Sequence, residues 1–259
     1  MDRAERRRQA RQDEQKLASG IDLTSPDREP VASLTRHLHG LFEKAKQTAS
    51  VEAPVRYLHS QITATAGKLK DIKIACAKGC SHCCHSWVSV TAPEVLYVAR
   101  AVRKRGAMAA DRVASTHAVT GLLDFTARQQ QPIACPQLVD NACSIYEDRP
   151  TICRFTASGD AAACERAYWQ LSGEDIPRPR LYLMGRNIYA VALAGALRRA
   201  GLPFVAYEFN AALACALAMP DPERAWLSGQ DIFADVPRDP VDVFTTPAVQ
   251  AMYNHTFAD

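Results

Sequence analysis

The feature that most constrains this chain is the crowding of cysteine between Cys76 and Cys84. The stretch CAKGCSHCC places four cysteines in nine residues, spaced Cys76-x3-Cys80-x2-Cys83-Cys84. Thiols this close ionise together only if a positive charge offsets their mutual repulsion, and a soft metal ion or an iron–sulfur cluster supplies it. If the segment were helical, a turn of about 100° per residue would set all four sulfurs on one face and turn His82 and His85 away. Gly79 costs about 1 kcal/mol relative to alanine inside a helix and favours instead a loop that wraps its own thiolates. Cysteines can also fill a helix core as small apolar residues, but Lys78, Gly79, Ser81 and His82 make a poor core segment. The stretch reads as half of a metal site.

The other half lies about fifty residues on. Residues 132–165, PIACPQLVDNACSIYEDRPTICRFTASGDAAACE, carry Cys135, Cys143, Cys153 and Cys164 among prolines, asparagine and glycine. Such a segment has no periodicity with which to pack a core, and cross-linking through metal is a natural way to order it. Eight cysteines make two four-thiolate sites, or one centre with spare thiols. The adjacent Cys83 and Cys84 bind a single tetrahedral ion only with local strain and more easily serve two centres, or one centre and the groups that surround its ligands. Lys78, Arg149 and Arg154 lie close in sequence to the thiolates and offset their charge; Arg149 and Arg154 are candidate cofactor-binding residues. The ninth cysteine, Cys215 in AALACALA, reads as an inert core thiol.

Around these blocks the pattern is helical. Residues 1–29 read as a mobile charged arm, and residues 30–70 as a helical pair with Leu34, Leu38 and Leu41 on one stripe and Val55, Leu58 and Ile62 on another. His37, His39 and His59 read as solvated or core-edge histidines, and His117 as structural. Thr91 opens a helix to Arg105 with a capping box completed by Glu94, and another follows from Asp111 to about Gln129. Residues 181–200 and 205–219 return to helix, and 231–259 form an irregular tail. The expected architecture is mostly α: a single helical domain over residues 71–230 with an irregular cysteine-rich metal-binding insertion.

Composition narrows the function. At 259 residues, 47% hydrophobic and 23% charged, the chain reads as soluble and globular. A net charge of +3 without aromatic-interleaved basic runs gives no sign of a nucleic-acid partner. The longest apolar run, Ile188 to Leu197, is about half a membrane span, so no membrane partner is expected. The N-terminal stretch lacks the apolar core of an export signal, and an odd number of cysteines argues for reduced thiols in the cytoplasm. The glycines form no GxG pair, P-loop or GxSxG, which leaves dinucleotide, Rossmann methyltransferase and serine-hydrolase chemistry unsupported. The three-cysteine spacing matches the loop of radical S-adenosylmethionine enzymes, but the strand–helix alternation of their barrel is missing.

The blocks CAKGCSHCCHSWVSVTAPE and CPQLVDNACSIYEDRPTICR together resemble the YkgJ-type CxxCxxCC cysteine-cluster family, a zinc- or iron-chelating domain. The resemblance spans roughly residues 70–230. It implies Cys76, Cys80, Cys83, Cys84, Cys135, Cys143 and Cys153 as cluster residues framed by Arg149, Pro150 and Arg154. Three residues rather than two separate the first cysteines here. Flagellin lysine N-methylases share a similar cysteine cluster, so two function classes stay open. One is a metal-binding protein with an iron–sulfur cluster, preferred, or zinc, which transfers electrons or staples a protein-interaction module. The other is an enzyme acting on a protein substrate with S-adenosylmethionine.

Overall fold

The structure is a computed structural model and describes residues 20–25, 27–240 and 246–257. Most of the arm expected over 1–29 lies outside the described residues. Its last part is packed: Ile21 and Leu23 are buried, and the Ile21 amide donates to Thr65 Oγ1 at 2.8 Å. Gly20 permits this approach, because its φ is +73° and a Cβ there would meet the Thr65 backbone nitrogen at 2.5 Å.

The described residues form eleven α-helices and two small antiparallel sheets, a mostly α fold. Helix α1 (Glu29–Thr48) buries Leu34, Leu38, Phe42 and Ala45, a stripe spaced by threes and fours. Helix α2 (Glu52–Gly67) buries Val55, Leu58 and Ile62. Both pack around α8 (Arg180–Arg199), whose middle, Tyr189 to Leu197, is buried throughout. Gly195 lets α1 come close, since a Cβ there would meet Thr35 Cγ2 at 2.9 Å.

Helix α3 (Ala92–Lys104), α4 (Ala107–Thr120) and α9 (Phe209–Ala218) make the second layer. Strand β1 (Ser89–Thr91), which leaves the first cysteine block, pairs with β4 (Ala206–Glu208) in the register Val90↔Tyr207. Short helices α5 (Phe125–Gln130), α6 (Thr151–Phe155), α7 (Ala161–Trp169) and α10 (Pro222–Leu227) connect the long ones. The stretch 231–259, expected to be irregular, holds a last helix, α11 (Pro247–Phe257), packed on α8. Its signal was masked by the preceding prolines and by a mixed apolar pattern. No described helix is long and apolar enough to cross a membrane.

The expected helix after Thr91 forms, but its capping box does not. Thr91 makes no side-chain cap; its hydroxyl donates to Glu94 Oε2 at 2.6 Å, while Glu94 Oε1 accepts from the Thr151 amide at 2.7 Å. That buried amide at the start of α6 has no helical carbonyl to bond, so Glu94 ties the second cysteine block to α3 instead of closing its own helix end.

Candidate metal centre

Gly79 decides the local structure of the first block. It takes φ +90°, and Cys76–Ser81 run as a loop and turn before a 3₁₀ turn, His82–His85, that carries Cys83 and Cys84. The loop alternative therefore holds, and the single-face helix does not form. The second block is ordered by a hairpin that the sequence reading passed over. Strands β2 (Leu138–Val139) and β3 (Ala142–Cys143) pair across Asp140-Asn141, both with positive φ, 50° and 57°, as a tight two-residue hairpin turn requires. The adjacent Asp-Asn, residues that tolerate this conformation, was the available signal. The hairpin folds Cys143 back towards Cys135, and α6 then delivers Cys153.

Two sets of backbone bonds join the blocks. The Cys135 amide donates to the Cys84 carbonyl at 2.7 Å. Ala75 N–H donates to Ser158 O at 2.8 Å, and Ser158 N–H returns a bond to Cys76 Sγ at 3.4 Å. The second tie lays the loop at Cys76 beside the residues that enter α7. Asp160 caps α7 by accepting from the Ala162 and Ala163 amides, which sets Cys164, buried, one turn in.

The thiols influence one another across these ties. Burial first, then the nearby Cys80, Cys83 and Cys164, pushes the Cys76 thiol up, while the Ser158 amide pulls it down. Cys83 is pushed far up by its hydrogen bond with the Cys84 thiol and by burial, with Arg149 opposing. Burial, then Cys135 and Cys83, pushes Cys153 up. Burial pushes Cys135 up to about 12 and raises Cys143; the Gln137 and Ile145 amides, each two residues on, oppose these shifts. Electrostatically the thiols fall into two sets that share Cys83: Cys76 feels Cys80, Cys83 and Cys164, and Cys153 feels Cys83, Cys135 and Cys143, with Cys84 hydrogen-bonded to Cys83.

The donor chemistry suits a soft metal. Thiols are its ligands, and amide N–H groups aimed at sulfur stabilise thiolate charge. The geometry is not closed: among the described residues no three His, Cys, Asp or Glu side chains are arranged so that they could hold a metal ion, so binding must draw the sulfurs together. Cys215 stands outside both groups, its Sγ 3.1 Å from Ile232 O; it is half-buried rather than core.

The two candidate arginines divide their work. Arg149 stacks 3.6 Å above the Tyr146 ring and lowers the pKa of Cys83, Cys143 and Cys153. Arg154 binds carbonyls: its Nε donates to Arg149 O at 2.8 Å and its Nη2 to Glu147 O. The same Nη2 lies 3.2 Å from Nδ1 of His59, which is 6% exposed and not the solvated or core-edge ring expected. Burial, then Arg154, lowers its pKa to about 3, so the ring is neutral and its Nδ1 accepts. Trp169 covers the 3₁₀ turn, its indole N–H donating to His82 Nδ1 at 3.0 Å and its ring 4.6 Å from that of His85.

No curated protein and no solved structure matches the chain. The CxxCxxCC family model, described as a "putative zinc- or iron-chelating domain", is found at residues 75–171, a span narrower than residues 70–230 that takes in all eight cysteines of the two blocks and leaves out Cys215.

Proposed function

We propose that residues 75–171 hold an iron–sulfur centre through Cys76, Cys80, Cys83, Cys84, Cys135, Cys143, Cys153 and Cys164, with Cys83 and Cys84 serving the two thiol groups one each. The overlap of the groups at Cys83 carries the reading: a vicinal pair at a junction suits two neighbouring groups of ligands better than one ion. The Ser158, Gln137 and Ile145 amides donate to sulfur, and Arg149 adds a cation beside the second group. These groups favour the thiolate form that burial opposes, and the thiol protons leave as the ligands engage. When bound, a cluster supplies one-electron transfer, and the chain acts as a redox or electron-transfer protein.

An absorption spectrum of protein purified without oxygen and without a metal-affinity tag tests this, with iron, zinc and sulfide measured on the same sample. The expected result is a broad visible band that dithionite bleaches, with iron and sulfide in stoichiometric amounts. A colourless protein with stoichiometric zinc overturns the iron reading and leaves a zinc-stapled helical module.

A further inference from the structure

Arg128 has no part in either cysteine block and no sequence motif marks it, yet it is among the most buried charged residues of the chain, 2% exposed. It lies on α5, whose start is fixed by Asp124 accepting from the Ala127 amide at 2.8 Å and by Phe125 packed edge-on against Trp87 at 5.4 Å. Its guanidinium donates to three backbone carbonyls: His85 at 3.0 Å and Gln131 at 2.7 Å from Nη1, and Ile133 at 2.7 Å from Nη2. His85 directly follows Cys84, and Ile133 stands two residues before Cys135. One side chain therefore grips both blocks at the point where the Cys135 amide meets the Cys84 carbonyl.

Burying a cation is costly unless it is paired and hydrogen-bonded. Arg128 is hydrogen-bonded through both Nη atoms, and the Glu208 carboxylate is near enough to favour its charge, against the burial that opposes it. Glu208 is itself buried and bonded to the Ala211 amide at 2.6 Å, which fixes this counter-charge at the start of α9. A planar fork with several N–H donors reaches carbonyls on both segments at once; a lysine offers its donors from a single point.

We propose that Arg128 is the positioning residue of the metal centre. It keeps the Cys83–Cys84 turn and Cys135 side by side, so that metal can draw their sulfurs together, and it places a fixed positive charge near Cys135. This rests on the metal-binding reading above. It differs from a general structural role in one respect: loss of Arg128 weakens the hold on metal more than it weakens the metal-free fold.

The test uses the full chain with its metal bound. Metal release to excess EDTA is timed for wild type, Arg128→Met and Arg128→Lys, and the thermal midpoints of metal-loaded and metal-free samples are compared. Loss of a residue that orients ligands from behind typically costs 10–100-fold in metal affinity, so Arg128→Met is expected to release metal roughly 10–100-fold faster. Arg128→Lys should fall between, and the rise in midpoint on metal binding should shrink in the same order. Release at the wild-type rate from Arg128→Met overturns the proposal, as does an equal drop of the loaded and metal-free midpoints. If Arg128→Met does not fold, Arg128→Lys decides by the same two readings. A wild-type chain with no metal at all instead overturns the metal reading, and the proposal falls with it.

Discussion

His59 projects from α2 to the Arg154 side chain, and nothing in the run YLHSQI distinguishes it from a ring at a helix edge. Its partner is 95 positions away, and only the fold brings the two together. Arg128 escaped notice for the same reason: its partners are carbonyls, which every residue carries. Lowering of the His59 pKa from 6.5 to about 3 makes a definite pH dependence. The unfolded chain binds a proton there more tightly than the folded one, so stability is full above about pH 6.5 and falls as pH drops towards 3. Chemical denaturation between pH 7 and 4 should show wild type losing more stability than His59→Gln, whose amide oxygen still accepts from Arg154. Equal losses in the two proteins would show that His59 does not stay neutral.

Elements that depend on neighbours in sequence were legible. The stripes of α1 and α2 and the helix after Thr91 follow from spacing and from Pro93 in the first turn. What spacing does not show is why α6, the five-residue helix that carries Cys153, stays where it is. Its contacts with distant elements hold it, among them the Thr151 amide on Glu94, Arg154 on His59 and Phe155 seated over Gly185 of α8. A Cβ on Gly185 would lie 2.5 Å from Phe155 Cε1 and 3.1 Å from Leu23 Cδ1. Overpacking a site of this kind costs about 1–3 kcal/mol, more than the roughly 1 kcal/mol that alanine gains over glycine within a helix. Gly185→Ala is therefore expected to lower stability in urea unfolding. A net gain would mean that α6 shifts without cost and that its seat on α8 does not fix Cys153.

Across the whole molecule, two helical layers hold two irregular segments against each other. The long helices supply the burial, and the cysteine segments, which lack periodicity, are ordered by cross-ties: Cys135 to Cys84, Ala75 to Ser158, Glu94 to Thr151 and Arg128 to both blocks. The presence of a cysteine-rich centre was legible because eight of nine cysteines cluster in two short stretches. Its assembly was not, because every tie ends on a backbone group and most join residues far apart in the chain. Cys164 shows the difference: its surroundings, AAACERA, read as plain helix, and the turn at Ser158–Asp160 is what brings it to Cys76.

The central claim is that thiols from both blocks hold one metal-binding assembly, and the most direct measurement is metal bound per chain in Cys83→Ser, Cys153→Ser and Cys215→Ser, with folding checked by circular dichroism. Cys83→Ser and Cys153→Ser should each lose most or all of the metal, whereas Cys215→Ser should keep the wild-type amount. A folded Cys153→Ser chain with its full complement of metal would contradict the claim and confine the centre to the first block.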